Sequence, residues 1–291
     1  MLNQKRTIPT QVFLVDNGSL RPEAIRGLRR IALRLGRRLE RKVGPVSMLH
    51  SNAVPAAKLG GRKAETLELA LRRRAMKGAR DFVIIPLYLG RSASLVKYVP
   101  SLARRLRAEF PRLRVRVAEP LGANRGRDLR TILRDLSVAK LTRKFLRGER
   151  PNVVLVDHGS PSRSVTWTRN QLWGQLRGAI DSRVDRMKAS SMERRPGRKY
   201  DFNEPLLEDV LQQAPFTSGP VLVVQLFILP GRHAGLDGDI ARICERAEAK
   251  HPRLRTSRTE LLGTHPRLIE VLAKRFREVT RERRVHRVTF D

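Results

Sequence analysis

Two histidines, His158 in "LVDHGSP" and His233 in "LPGRHAG", each follow a short apolar run, and Glu193 in "SMERR" stands at the end of the strand between them. Two imidazoles and a carboxylate from three separate loops can form a metal site with open positions. Neutral imidazole accepts Co²⁺, Fe²⁺ or Ni²⁺ alike, and the carboxylate is a candidate proton acceptor. Gly159 and Ser160 make a tight strand-to-helix turn whose N–H groups are candidates for receiving an anion. The chain has no G-x-G-x-x-G after a strand, no Walker loop and no G-x-S-x-G elbow, which argues against a dinucleotide site, a P-loop and a hydrolase built on Ser160. His251, His265 and His286 fall at helix ends or in the tail and read as structural or surface residues, and His50 borders the cleft at most.

For these loops to meet, their strands must lie side by side. An internal repeat supplies the frame. Asp16 and Asp157 stand 141 positions apart, as do Gly90 and Gly231 in "GRSA" and "GRHA", Pro111 and Pro252 in two copies of "PRLR", and Gly122 and Gly263. The chain is therefore a tandem duplication, residues 1–145 and 150–291, joined through the basic stretch "LTRKFLRGERPN". Within each half, apolar strands such as "QVFLVD", "DFVIIPLYL" and "PVLVVQLFI" alternate with amphipathic helices such as "PEAIRGLRRIALRLGRRLERK". That pattern predicts parallel strands buried on both faces with right-handed crossovers, so each half is expected to be a small doubly wound α/β domain. Ligands of such sheets bind beyond the carboxyl ends of the strands, where the strand order reverses. A flavodoxin-like order makes the first and third strands neighbours at that point, so His158 and His233 are expected to face one crevice, with Glu193 at the same edge. At the same offset the first half carries Asn17, Ser92 and Asn52, none a strong ligand. The second half alone is expected to hold metal.

Composition narrows the class. No apolar run approaches the roughly 18 residues of a membrane span, and no h-region with a cleavage site precedes the first strand. The single cysteine, Cys244, makes an intramolecular disulfide impossible and fits a reducing cytoplasm. The 61 Lys and Arg against 28 Asp and Glu, a net +33, attract polyanions, but the arginines are spread over nearly every helix. A nucleic-acid-binding protein is a remote alternative: no helix-turn-helix, zinc-finger or RRM signature is present, and aromatics are only 5% of residues.

"LVDHGSP", "LPGRHAGLDGDI" and "LLGTHPRL" together resemble the class II chelatases of the CbiX/sirohydrochlorin chelatase type. In that family a histidine follows strand one in an HGS motif, and a second follows strand three ahead of a helix beginning Asp-Ile. The matching positions are His158, His233 and Asp239-Ile240. "SMERRPGRKYDFNEPLLEDVL" resembles the family's acidic residue at strand two followed by a proline-led helix. The resemblance covers both halves, as in the two-domain members. It implies a lyase of cobalamin or siroheme biosynthesis that inserts Co²⁺, Fe²⁺ or Ni²⁺, a substrate and not a permanent cofactor, into an acidic tetrapyrrole such as sirohydrochlorin. His158 and His233 would hold the metal, and Glu193 or a neutral histidine would accept the pyrrole protons. Ser160, Arg163, Arg194, Arg195 and Arg232 would meet the substrate's carboxylates. Arg91 stands in the place of Arg232 in the half without the histidine pair, and Gln225 stands where Pro86 opens "PLYL". The resemblance also implies that the first half forms the opposite wall of the cleft. A non-catalytic metal or tetrapyrrole carrier of the same fold is the alternative.

Overall fold

A computed structural model describes residues 8–144 and 150–281. The polar lead before the first strand, the centre of the connecting stretch and His286 lie outside the described residues.

The first repeat runs β1 (Gln11–Asp16), α1 (Pro22–Leu39), β2 (Val43–Ser47), α2 (Leu67–Met76), β3 (Asp81–Pro86), α3 (Val99–Glu109), β4 (Arg114–Val117) and α4 (Arg130–Lys144). The second runs β5 (Asn152–Asp157), α5 (Arg163–Ile180), β6 (Met187–Ser191), α6 (Leu207–Val210), β7 (Gly219–Gln225), α7 (Asp239–Lys250), β8 (Leu254–Arg258) and α8 (Arg267–Arg281). Each repeat builds a four-stranded parallel sheet, ordered β2-β1-β3-β4 and β6-β5-β7-β8. The order reverses between the first and third strands of each repeat, as the sequence predicts.

Alternation along the strands divides each core into two layers. Phe13, Val15, Phe82 and Ile84 pack against α2 and α3, while Val154, Val156, Val221 and Val223 pack against α6 and α7. The other face of the second sheet meets α4 and α5. Helices on both faces explain why every residue of β5 is buried. Two helices are shorter than the stretches "LVKYVPSLARRLRAEF" and "PLLEDVLQQA" that contain them. A π-helical turn, Ser94–Tyr98, precedes α3, whose first turn carries Pro100 without an N–H. The chain leaves α6 well ahead of Pro215.

The packed units do not end where the sequence repeats do. Among the described residues, one comprises 8–88, 93–120 and 272–281, the other 89–92, 121–144 and 150–271. Helix α4 therefore packs with the second sheet, against α5 and β7. From Leu272 onward α8 belongs to the first unit, where buried Arg275 donates to the Pro120 carbonyl at 3.2 Å and the Arg41 guanidinium lies over Phe276. The boundaries 1–145 and 150–291 thus mark the duplicated sequence. An amphipathic helix records that one face is covered, not which sheet covers it.

Candidate functional site

Strand β5 delivers Asp157 and then His158 to the carboxyl edge of its sheet. Pairing with β6 continues past the strand ends: Met192 N–H donates to Asp157 O at 2.7 Å and Glu193 N–H to His158 O at 3.2 Å. Gly159 has φ +88°, and a Cβ there would stand 1.9 Å from the Glu193 carbonyl oxygen, so the turn closes over residue 193 only with glycine. The result sets His158 Nε2 3.5 Å from Glu193 Oε1.

The second histidine arrives on the loop between β7 and α7. That loop is tied by its own backbone, Gly231 N–H to Ala234 O at 2.8 Å and Ile240 N–H to His233 O at 3.1 Å. Arg258, at the end of β8, donates to the Gly235 carbonyl at 2.8 Å. The imidazoles of His158 and His233 lie edge to face, 4.6 Å between centroids at 78°.

Each imidazole has its Nδ1 engaged. His158 Nδ1 lies 3.0 Å from the Gly159 carbonyl oxygen, and His233 Nδ1 lies 2.7 Å from Asp239 Oδ2. A carbonyl or carboxylate only accepts, so in these contacts each Nδ1 carries hydrogen and, in the neutral ring, Nε2 keeps its lone pair. A lone pair on His158 Nε2 beside the Glu193 carboxylate is favourable only with a proton or another cation between them. Among the described residues, no group of three or more His, Cys, Asp or Glu side chains is arranged to hold a metal ion. The site as folded is two imidazoles side by side, with Glu193 beside one of them.

Beneath the His158 turn lies a buried polar network that sequence reading missed. Asp157, 4% exposed, accepts from Ser191 Oγ at 2.6 Å and from Gly159 N–H at 3.1 Å. Burial pushes its carboxyl above the usual range, opposed by the Ser191 hydroxyl, the Arg169 charge and the Gly159 N–H. Arg169, also 4% exposed, donates to Ser191 Oγ at 2.7 Å and to the Asn203 carbonyl at 2.8 Å. The Asn203 amide oxygen accepts from Ser160 N–H at 2.9 Å and Thr166 Oγ1 at 3.1 Å. Both turn N–H groups offered by the sequence as an anion site are thus already spent, on Asp157 and Asn203, and Ser160 Oγ accepts from Ser162 N–H. What Ser160 retains for a substrate carboxylate is the hydrogen of its hydroxyl, which these contacts do not use.

The candidate arginines divide. Arg194 is paired with Glu204 at 2.7 Å and Asp201 at 3.4 Å, which ties it to the 193–204 loop. Arg163 lies over the Phe202 ring at 4.8 Å and is exposed. Arg195 is exposed, and Arg232, 76% exposed, has its Nε 3.6 Å from Asp239. His251 pairs with Gln212 at 3.1 Å, His265 lies 3.5 Å from Asp135, and His50 is exposed with φ 66°. Cys244 is buried on α7, which pushes its thiol up to about 11. In the first unit, Arg80, Arg107, Arg112 and Arg114 line a groove of about 640 Å³ at the amino ends of β3 and β4. No helix among the described residues is long and apolar enough to cross a membrane.

One counterpart needs correction. Asp16 pairs with Ser47 and Asp157 with Ser191, so the second strands are displaced by 144 positions, not 141. Leu49 N–H donates to Asn17 O as Glu193 N–H does to His158 O. The first-half counterpart of Glu193 is therefore Leu49, not Asn52, because the second half carries three extra residues between these strands. Asp239, expected only as a helix start, is the residue that orients His233; its place six positions after His233 was the available signal.

The sequence matches the CbiX family model twice, over residues 11–134 and 152–279. No curated protein matches the chain in sequence. Among solved structures, SirB from Bacillus subtilis with Fe³⁺ is similar at TM-score 0.70 and 15% identity, over 94% of this chain and 97% of that one. The sirohydrochlorin chelatase SirB from Bacillus subtilis subspecies spizizenii in complex with cobalt is similar at TM-score 0.64 and 18% identity, over 95% and 97%. CbiX, described as the terminal enzyme for biosynthesis of siroheme in denitrifying bacteria, is similar at TM-score 0.62 and 16% identity, over 92% and 98%. These likenesses share the fold, and the two family matches, one per repeat, place the chain in the CbiX family.

Proposed function

We propose that this CbiX-family chain is a sirohydrochlorin-type chelatase, a lyase that inserts a divalent metal, Co²⁺ or Fe²⁺, into sirohydrochlorin or a related acidic tetrapyrrole. The observation that carries the reading is the pair of imidazoles 4.6 Å apart, each with Nδ1 engaged. The SirB structures with Fe³⁺ and with cobalt support the choice of metals.

Insertion needs a metal held weakly enough to be handed on and two pyrrole N–H protons removed. Two Nε2 lone pairs with exchangeable positions meet the first need better than a closed four-ligand cage. The Asp239 carboxylate fixes the tautomer and orientation of His233, as outer carboxylates do for ligating histidines. Glu193, 57% exposed, accepts a pyrrole proton at its carboxylate and passes it to solvent. Arg163, Arg195 and Arg232, all exposed, are the arginines offered to substrate carboxylates, Arg232 from beside Asp239, and the net +33 steers the anion inward. The lone buried Cys244 fits a cytoplasmic location.

The test is anaerobic addition of Co²⁺ or Fe²⁺ to sirohydrochlorin, followed by absorbance, against the uncatalysed rate. Acceleration by the wild type, lost in His158→Ala and in His233→Ala, is the expected result. A wild-type rate equal to the uncatalysed one with both metals, in folded protein, overturns it.

A further inference from the structure

The duplication contains its own control for the buried network under His158. Helices α1 and α5 correspond residue for residue at an offset of 141, from Pro22 and Arg163 to Leu39 and Ile180. Arg169 therefore stands where the sister helix has Leu28, and Thr166 where it has Ile25, both buried. In the sister repeat Ile25 packs with Val54 and Leu59 in an apolar cluster. Asp16 occupies the place of Asp157 there, with Ser47 hydrogen-bonded to it, but among the described residues no arginine pairs with it, and its Oδ1 is buried without a partner. The same strand, turn and helix thus fold with leucine at this position.

A buried arginine–carboxylate contact is weak evidence for stability, since apolar residues of similar size often serve the fold as well or better. Here the repeat with leucine shows that the backbone does not require the arginine. What the arginine adds is geometric. Its Nη1 bridges Ser191 Oγ on β6 and the Asn203 carbonyl, 3.9 Å from Asp157 Oδ1, and the Asn203 amide then grips both the N–H and the C=O of Ser160. The turn is held on each side of His158: Asp157 takes Gly159 N–H, and Asn203 holds Ser160. Buried polar networks that are fully paired rigidify and specify one arrangement.

We propose that Arg169, acting through Ser191 and Asn203, is a positioning residue that fixes the His158 turn so that its imidazole meets His233. This rests on the reading of His158 as a metal-holding residue. It touches neither metal nor macrocycle itself.

The test uses the full chain with Arg169→Leu, the sister repeat's own residue, and Arg169→Lys. Three quantities are read: the cooperative thermal transition, hydrogen-exchange protection of the Gly159 and Ser160 amides, and Co²⁺ affinity from its visible ligand-field absorption. Arg169→Leu is expected to unfold cooperatively and to lose protection at Gly159 and Ser160 by about tenfold or more, with Co²⁺ affinity down about 10- to 100-fold. In the insertion assay kcat falls while KM for the macrocycle holds. Arg169→Lys keeps the charge without the planar fork and is expected to recover only part of the loss. A folded Arg169→Leu with amide protection and Co²⁺ affinity within twofold of wild type overturns the proposal. If Arg169→Leu does not fold, Asp157→Asn/Arg169→Leu removes the charge left behind; failure of that variant too makes the arginine part of the fold and also overturns it. Co²⁺ binding without insertion by the wild type sinks the chelatase reading and leaves this one standing, because the amide and affinity measurements do not need turnover.

Discussion

The turns after β1 and β5 share a backbone and differ in what fills the space beneath it. Gly18 and Gly159 take φ of +100° and +88°, and each sits so close to the second strand's continuation that a Cβ would meet a carbonyl oxygen, Leu49's or Glu193's. In the first repeat the junction below is apolar, with Ile25, Val54 and Leu59, while Arg29 clamps the loop's Leu59 and Arg62 carbonyls from outside. In the second it is polar, with Thr166 and Arg169 both hydrogen-bonded to Asn203. The first arrangement suffices for folding. The second accompanies a histidine whose orientation matters, and the contrast separates what the fold needs from what the site needs.

The comparison breaks most visibly at Glu193, whose sister is Leu49. Replacing Glu193 by Leu is expected to lower kcat for insertion about 10²- to 10⁴-fold with Co²⁺ binding retained, the range expected when a positioned proton acceptor is lost. Unchanged kcat in a stopped-flow insertion assay would move proton acceptance elsewhere.

A second test sharpens the comparison at Asp16. Burial pushes this carboxyl up to about 6 from 3.8. The folded chain therefore holds the proton more tightly than the unfolded one. The stabilisation is complete below about pH 4 and is lost as the pH rises through about 6, leaving a cost of up to about 3 kcal/mol at pH 7. Asp16→Asn is expected to raise stability at pH 7 by about 2 kcal/mol and to change little at pH 4, read by urea denaturation at both. A gain of equal size at both pH values would show that ionisation is not its source.

At Asp239, replacement by Asn keeps the size and removes the charge that holds the His233 Nδ1 hydrogen. Co²⁺ affinity is expected to fall about 10- to 100-fold, measured by titration of the visible absorption, with the thermal midpoint little changed. The smallest effect is expected from Arg232→Ala. It should raise KM for the macrocycle about threefold at low salt and less in 0.15 M salt, because an exposed ion pair is worth little and is screened. An effect on kcat larger than that on KM would put Arg232 in the chemistry and not in capture.

Much of this was legible along the chain. Strand and helix periodicities, the offset of 141 and the HGS and GRHA landmarks gave the sheet order and put His158, His233 and Glu193 at one edge. They did so because in a parallel α/β repeat the strand order is set by local crossovers, and loop residues follow their strands. The offset failed where loops differ in length, between the first two strands, and so named Asn52 where Leu49 belongs. Sequence shows the charge of Arg194 but not the Glu204 carboxylate 2.7 Å away that shares it.

What the sequence by itself determined is the duplication, the doubly wound class, the turn glycines and which repeat carries the histidine pair. These follow from periodicity and residue type within a few neighbouring positions. Only the tertiary structure decided that α4 packs on the second sheet and α8 largely with the first unit, that Arg169 and Asn203 lock the His158 turn, and that its N–H groups are taken. The physical reason is common to all three. A helix face, a guanidinium and an amide each state what they need as partners, and only packing in three dimensions chooses among the many residues able to supply it.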